Sequence, residues 1–242
     1  MNLFNLLRAI LLTLVFSGQA FSQSPQLDTE GLSEEYLKLL EIVKQRHKPV
    51  TEIDGKLDVT NRPGIGSHEA EIILVEFGDF ECGFCRRHFH QTAQQILDTH
   101  VSDNKLRYVF LDYPLNTRHL DAAKAAEAAR CAEEQGKYWE MRTELFNNSM
   151  SLGEEHLANH ASNAGLNGNQ FNDCMDSGRH EKAVSEDQLI GKSLGITGTP
   201  TFFIGINQGN EIKLLKKIQG SQPFEVFDKA LTNAISEPVK SI

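Results

Sequence analysis

The sequence predicts an α/β protein in which a helical insertion divides a small sheet domain into two halves. Three observations support this fold class. An apolar run at 72–77 predicts a buried strand with a helix directly after it. The stretch 117–194 has helical periodicity broken only by glycines. Strand signals return after residue 200. We therefore expect a sheet domain at 70–116 and 195–242 around an inserted helical domain at 117–194.

The charge balance excludes one class of function. The 242 residues include 33 acidic and 24 basic side chains, which gives a formal net charge of −9. A nucleic-acid-binding surface needs a basic stripe that neutralises phosphates, so we expect no nucleic-acid partner. The length suits one domain of ordinary size that carries an insertion.

The first 22 residues have the layout of a secretory signal peptide. Arg8 precedes an apolar run from Ala9 to Phe16, and cleavage is expected after Ala20 or Ser22. The alternative is a membrane anchor, but this run is shorter than the ~20 residues that span a bilayer. We therefore expect an exported, periplasmic protein.

Residues 23–69 are predicted to form an N-terminal helix and a linker. Ser33 is a suitable N-cap, and the apolar residues after it favour a helix to Gln45. This helix either packs on the domain or acts as the self-association arm of a homo-oligomer. Glycines and prolines from Lys48 to Glu69 predict a loop with one short strand near 56–59.

Glu76 interrupts the apolar run of the central strand. The run is apolar on both faces, as in a sheet that helices cover on both sides. Burying an ionised carboxylate is unfavourable, and two interpretations stay open. Glu76 lies at a solvated edge or pairs with a cation, or it is a buried acid whose raised pKa lets it exchange protons with nearby thiols.

Cys82 and Cys85 form a Cys-Gly-Phe-Cys motif where the predicted helix begins. Unpaired N–H groups and the helix dipole favour a thiolate at this position, so Cys82 is the predicted nucleophile. Cys85, one turn further on, can resolve a mixed disulfide, which makes the pair a two-electron redox switch. The same spacing supplies half of many zinc sites, so the motif alone decides little.

The inserted domain contains the other two cysteines. Its predicted helices lie at 122–134, 138–146, 156–164, 169–176 and 181–194. Cys131 and Cys174 lie on different helices, and an even cysteine count in an exported chain favours two pairs. We expect a structural disulfide between them.

The remaining strands complete the predicted sheet. One strand is expected at 105–111, before the insertion, and two after it, at 201–204 and 211–218. Pro200 stands at the start of a strand, where a proline removes no ladder hydrogen bond. A helix at 223–235 closes the chain.

Two separated motifs carry a family likeness. Phe77-Gly-Asp-Phe-Glu-Cys-Gly-Phe-Cys85 and Thr197-Gly-Thr-Pro-Thr-Phe-Phe-Ile204, with the export signal and the helical insertion, resemble the DsbA family of thioredoxin-fold thiol:disulfide oxidoreductases. The likeness covers 70–235. It implies a thioredoxin fold at 70–116 and 195–242, and an enzyme without a cofactor that acts on cysteines of unfolded exported proteins and exchanges electrons with a membrane partner.

The resemblance also assigns roles to residues. It implies that Cys82 is an exposed attacking cysteine and Cys85 its buried partner. Pro200 matches the family's cis-proline, and the backbone of Thr199 would pair with an extended substrate segment. Glu76 falls where the family keeps a buried acid. Cys131 and Cys174 resemble a second, structural pair found in some branches.

Gly83 and Phe84 depart from the strongly oxidising members, which have proline and histidine between the cysteines. Neither residue brings a charge, so the helix terminus, with Arg86 or Arg87, is left to stabilise the thiolate. The strongest oxidant of this family has a thiol pKa of about 3.5 and a potential of about −120 mV, against about 7 and about −270 mV for thioredoxin. We expect intermediate values here, and an apolar active-site surface.

The sequence allows comparison of three alternative functions with that of a disulfide oxidase. A disulfide isomerase or reductase of an oligomeric type would use the same dithiol and pair through the N-terminal helix. A metal-binding module would use Cys82, Cys85, His88 and His90, with His119 assisting. An isomerase that acts on a small molecule with glutathione fits poorly with an intact Cys-x-x-Cys. No histidine is assigned a catalytic role, and no metal is expected.

Overall fold

The structure is a computed structural model that describes residues 49–102 and 104–236, together with residues 34, 37 and 38. The predicted signal peptide and almost all of the predicted helix at 33–45 lie outside the described residues. Contacts divide the chain into residues 1–47 and 48–242, and the fold below belongs to the second unit.

A seven-stranded mixed sheet forms the centre of this unit. Its strands are β1 (Val50–Glu52), β2 (Lys56–Asp58), β3 (Gly64–Ile65), β4 (Ile72–Gly78), β5 (Leu106–Asp112), β6 (Thr201–Asn207) and β7 (Glu211–Gln219). The order is β1-β7-β6-β4-β5-β3, and β2 also pairs with β7. Strand β4 runs parallel to β5 and antiparallel to β6, so it lies in the middle of the sheet.

Seven helices complete the described fold. Helix α1 is continuous through the segments Gly83–His88, Phe89–Ala93, Gln94–Ile96 and Leu97–Val101, the second and fourth of which are π-helical. The others are α2 (Ala122–Glu133), α3 (Tyr138–Asn147), α4 (Glu154–Asn163), α5 (Gly168–Ser177), α6 (Glu181–Ser193) and α7 (Phe224–Ser236). Among the described residues, no helix combines the length and apolar character that crossing a bilayer requires.

The predicted fold class, an α/β domain with an inserted helical domain, is confirmed. Strand β4 is apolar on both faces because helices cover both. Ile72 and Leu74 pack with Phe227 of α7, and the opposite face packs against Ile190 of α6. From residue 49 onward, the predicted strands and helices occur in the predicted order, with bounds that differ by a few residues.

The predicted short strand near 56–59 is confirmed by β2, but the prediction that the rest of Lys48–Glu69 is a loop was wrong. This segment contains β1, β2 and β3, which extend the sheet at both edges. Strands of two or three residues are too short to show alternation in a sequence. They form because β7 and β5 present unpaired backbone groups along their outer sides.

The inserted helices form a core of their own that reaches the sheet. Cys131 of α2 and Cys174 of α5 form a disulfide with their Cα atoms 5.8 Å apart. A buried ionic network joins this domain to the sheet: Arg130 of α2 donates to Asp112 of β5 at 2.8 Å and also binds Asp187 of α6. Burial raises the pKa of Asp187 to about 6, so its ion pairs hold a carboxylate in an unfavourable environment.

Candidate active site

Cys82 and Cys85 lie where β4 leads into α1. Cys82 is the N-cap of α1, with an extended backbone (φ −73°, ψ 119°), and its carbonyl accepts the N–H of Arg86 at 3.0 Å. Cys85 is fully buried in the first turn of the helix. Both side chains are free thiols, so the structure describes the reduced form.

Asp79 organises the turn before Cys82. One of its carboxylate oxygens accepts the N–H groups of Glu81 at 2.8 Å and of Cys82 at 3.2 Å. The other accepts the N–H of Leu115 at 2.8 Å and contacts Nδ1 of His119 at 2.8 Å. This single buried side chain therefore joins the Cys-x-x-Cys turn to the segment that follows β5.

The loop before β6 lies against the thiols. The Thr199–Pro200 peptide bond is cis, and the carbonyl oxygen of Thr199 lies 3.5 Å from Sγ of Cys82. Because only a protonated thiol can donate to a carbonyl, this contact belongs to the thiol form. The N–H of Thr199 donates to no residue that the structure describes, which leaves it free to pair with an extended chain.

The two thiols have opposite proton affinities. The pKa of Cys82 is lowered to about 5, chiefly because the thiol of Cys85 donates a hydrogen bond to the thiolate. Burial opposes this shift, whereas the side chain of Thr199 and the backbone of Cys85 and Phe84 add to it. Burial raises the pKa of Cys85 well above its usual value, with the charge of Cys82 as a further cause. At neutral pH the pair therefore carries one thiolate, on Cys82.

Two expectations about Cys82 need correction. It was expected to be exposed, but its exposed fraction is only 5 %, because the Thr199 loop and the inserted domain cover it. Arg86 and Arg87 were expected to help stabilise the thiolate. Instead, Arg86 donates to Ser149 at 3.2 Å and Arg87 to Ser221 at 3.1 Å. Hydrogen bonds at the helix start hold the thiolate instead.

Glu76 is both buried and paired. It is fully buried in the middle of the sheet, where the Tyr108 hydroxyl donates to its Oε2 at 2.5 Å and Arg142 donates to the same atom at 2.9 Å. Burial raises its pKa, and the charge of Arg142 and the bond from Tyr108 counter this in part. The atom Oε1 has no hydrogen-bond partner. Glu76 is thus an acid with a free oxygen and an elevated proton affinity, in electrostatic contact with both thiols.

Aromatic rings surround the cation that holds Glu76. The Arg142 guanidinium lies within 5.3 Å of four ring centroids, those of Phe89, Phe110, Trp139 and Phe146. These rings exclude water and still interact favourably with the charge. The ion pair is therefore screened little by solvent.

His88 extends this network along α1. Its Nε2 lies 3.3 Å from the hydroxyl of Tyr108, and its ring is fully buried. Burial and the charge of Arg142 lower its pKa to about 3, so the imidazole is neutral. The ring packs on Phe202 with centroids 4.5 Å apart.

A cavity of about 550 Å³ opens beside Cys82. Its rim combines apolar and basic groups: Phe84 is 58 % exposed and is stacked by Arg87, and Arg118 and His119 stand opposite. Burial acts to lower the pKa of His119, but the hydrogen bond and charge of Asp79 outweigh it and raise the pKa. Leu120, next along the chain, is 83 % exposed.

The ligands of the metal-binding alternative do not come together. His88 turns into the core toward Tyr108, away from a shared site with the thiols. Within the described ranges, the one group of three close ligand atoms comprises Cys131, Cys174 and His180, and the two sulfurs there are joined in a disulfide.

Sequence reasoning missed four residues of this site. Asp79 contacts the reactive turn, Tyr108 and Arg142 contact Glu76, and His88 contacts Tyr108. None of these roles is predicted from the sequence pattern. Only Asp79 had a local signal, because an aspartate two or three residues before a helix start commonly accepts backbone N–H groups.

Comparisons with known proteins agree with this fold. A family model described as Thioredoxin matches residues 58–231. The fold is similar to Wolbachia pipientis alpha-DsbA1 (23 % identity, TM-score 0.63, covering 74 % of this chain and 93 % of that one). It is also similar to oxidised BdbD from Bacillus subtilis (15 % identity, TM-score 0.66, covering 77 % and 99 %).

The curated relatives are longer proteins. The Na(+)/H(+) antiporter NhaA 1 of Mycolicibacterium vanbaalenii is 35 % identical over 141 residues, which are 57 % of this chain and 22 % of the relative. The Na(+)/H(+) antiporter NhaA 1 of Salinispora arenicola is 30 % identical over 171 residues, which are 71 % of this chain and 24 % of the relative. The chain thus spans less than a quarter of these relatives. The family match covers most of the chain, which therefore belongs to the thioredoxin family and has the fold of its DsbA-type members.

Proposed function

We propose that the protein is an exported thiol:disulfide oxidoreductase that forms or reshuffles disulfides in substrate proteins. One observation carries the proposal: a thiolate-favouring Cys82, with a pKa of about 5, lies next to a buried Cys85 of raised pKa and against the Thr199–Pro200 loop. In such an asymmetric pair, one sulfur attacks or leaves readily, and the other, buried sulfur resolves the mixed disulfide.

Oxidation of a substrate proceeds in two exchanges. A substrate thiolate attacks Sγ of Cys82 in the Cys82–Cys85 disulfide, which forms a mixed disulfide and releases Cys85 as a thiolate that takes up one proton. A second substrate thiolate then attacks the substrate sulfur and releases the Cys82 thiolate. The substrate loses two electrons and two protons. The Cys82–Cys85 pair gains both electrons and one proton, and the other proton passes to solvent. The low pKa of Cys82 makes it a good leaving group in the second exchange.

Glu76 is proposed to exchange a proton with Cys85 in the first step. Its raised pKa favours the protonated acid over the carboxylate of an ordinary glutamate, and its unpartnered Oε1 has no competing bond. Burial raises the pKa of Cys85 so far that the released thiolate needs a proton immediately.

The substrate is proposed to be an extended, unfolded segment with a cysteine. The free N–H of Thr199 suits strand addition beside Pro200, and the exposed Phe84 and Leu120 suit the apolar neighbours of cysteines in unfolded chains. A periplasmic location and a membrane redox partner complete the proposal. The curated relatives are named as antiporters, but they are more than four times as long as the segment that matches this chain. Nothing in this site resembles an ion pathway.

The test is an assay with a reduced, unfolded protein that needs disulfides for activity. Catalytic amounts of oxidised protein in glutathione buffer should accelerate its reactivation, and Cys82→Ser should abolish the effect. Cys85→Ser should accumulate the mixed disulfide, visible on a non-reducing gel. Catalysis that survives in Cys82→Ser would contradict the proposal. A matched Cys131→Ala/Cys174→Ala variant should keep the activity. Cell fractionation with the natural N-terminus tests export.

A further inference from the structure

A second cavity of about 490 Å³ shares no lining residue with the cavity beside Cys82. The turn before β3, the β6–β7 turn and the start of α3 surround it. Its walls include the aromatic side chains of Tyr138 and Trp139, and Arg107 of β5 forms part of its lining. The oxidoreductase mechanism uses none of these groups.

Arg107 is a buried cation without an anion. Its exposed fraction is 9 %, and it makes no hydrogen bond or ion pair with any residue in the described part of the chain. Its Nε is completely covered and unpartnered. The other two buried arginines are paired, Arg130 with Asp112 and Arg142 with Glu76. Leaving a buried guanidinium unpaired is unfavourable, so Arg107 is suited to receive an anionic partner through the cavity that it lines.

The sequence makes room for this guanidinium. It lies over Gly64 of β3, where a Cβ would come within 2.7 Å of Nε and 2.9 Å of Nη2. A side chain at Gly64 would therefore displace Arg107. The absence of a side chain at Gly64 therefore makes space for the guanidinium of Arg107. Burial lowers the pKa of Arg107, and no described residue compensates its charge.

The other charges around the cavity are already engaged. Arg62 donates to Asp187 at 2.5 Å, and Glu133 lies 3.8 Å from Arg130. The hydroxyl of Tyr138 is a second buried group without a partner, and burial raises its pKa, so it stays a donor. Among the described residues that line the cavity, Arg107 is therefore the charged side chain without a partner, and the uncompensated charge is positive.

We infer that this cavity binds a small organic carboxylate whose planar apolar part packs on Trp139. An arginine fork binds carboxylates in a bidentate manner, which would satisfy Arg107. The volume exceeds that of an inorganic oxyanion, and the aromatic wall accounts for the apolar part of the ligand. This site is separate from the proposed disulfide chemistry and does not depend on it.

Trp139 is the only tryptophan of the chain, so its indole N–H gives one resonance that reports on this cavity. Phenylacetate is the probe, with acetate and inorganic phosphate as the other arms, titrated into reduced protein. Phenylacetate should shift the indole resonance saturably. Arg107→Gln should weaken this binding at least about tenfold, the loss of one charge-assisted interaction. The control Arg118→Gln, at the rim of the other cavity, should leave it unchanged.

Three results of the binding experiment would overturn the inference. They are the absence of a saturable shift with phenylacetate, equal affinity in Arg107→Gln, or phosphate binding as tight as phenylacetate. Thermal unfolding separates a binding role from a structural one. Because Arg107→Gln removes an unpaired buried charge, its Tm without ligand should equal or exceed that of the unchanged protein. A clearly lower Tm would identify Arg107 as a structural residue and contradict the inference.

Discussion

Tyr108 donates a 2.5 Å hydrogen bond to the buried Oε2 of Glu76, the same oxygen that Arg142 binds. One partner comes from the strand next to Glu76, and the other comes from the inserted domain. Both partners favour the carboxylate, whereas burial favours the protonated acid. The proton affinity of Glu76 is therefore set jointly by the sheet and by the inserted domain.

Glu76→Gln should slow the release of Cys85 from the disulfide by about tenfold or more at neutral pH, because the proton donor is lost. Stopped-flow mixing of oxidised protein with a model thiol measures this step. Tyr108→Phe keeps the carboxylate but removes a bond that favours it, so the pH profile should move to higher pH with little loss of maximal rate. An unchanged rate in Glu76→Gln at every pH would refute the role.

Cys82 in the reduced protein should titrate with a midpoint of about 5, followed by thiolate absorbance or by the rate of alkylation. Cys85→Ala should raise this midpoint, because the Cys85 thiol makes the largest contribution to lowering the pKa of Cys82. Cys85→Ser keeps a donor and should raise it less. If Cys85→Ala leaves the midpoint in place, the helix start rather than the partner thiol controls the thiolate.

Stability of the reduced form should depend on pH in a direction that the Cys82 pKa fixes. A thiol whose pKa falls from 9.0 to about 5 on folding stabilises the folded state fully above pH 9, and this stabilisation is lost as pH falls to 5. Relative to the oxidised form, reduced protein should gain on the order of 4 kcal/mol between pH 5 and pH 8. Urea unfolding of both redox forms at each pH measures this difference. A flat difference would contradict the lowered pKa.

Replacement of Gly83-Phe84 by Pro-His should make the protein a stronger oxidant. A histidine next to the thiolate stabilises the reduced form, which raises the potential and lowers the pKa of Cys82. Equilibration in glutathione buffers gives the potential of both proteins. The unchanged protein should lie between about −270 and about −120 mV, and a value at or above about −120 mV would contradict the moderated oxidant.

Removal of the second disulfide should affect stability and leave the redox chemistry intact. Cys131 and Cys174 are 43 residues apart, so their bond restricts the unfolded chain by up to about 4 kcal/mol. The double alanine variant should lose about 2–4 kcal/mol in denaturant unfolding. Its Cys82 pKa and reactivation activity should match those of the parent. Loss of both together with a native fold would mean that the pair influences the active site.

The reactive turn was predictable because its signals are local. Cys82 and Cys85 follow an apolar strand directly, and Pro200 directly precedes another. The covering of Cys82 was not predictable, since it depends on a loop 117 residues away. For the same reason the partner of Glu76 could not be identified: Arg142 is 66 residues further along the chain. Both original interpretations of Glu76, a paired charge and a buried acid, describe part of the outcome.

The short strands β1 and β3 show a second limit of prediction from local sequence. Residues 50–52 and 64–65 have no alternation to read, and they become strands only because β7 and β5 are there to pair with them. Local propensity is weak at such positions, and tertiary context decides. Arg107 is a similar case, because an arginine in a predicted strand gives no sign that a glycine on the neighbouring strand makes room for it.

These short strands have a consequence for solubility. In the described sheet, the outer positions are occupied by strands of only two or three residues. A long exposed edge would recruit any extended polypeptide and seed co-aggregation. Under the proposed function, the protein binds unfolded polypeptides and therefore meets this hazard often. Because its outer strands are short, the sheet offers an extended polypeptide little edge to pair with. Substrates are then expected to bind near the thiols instead.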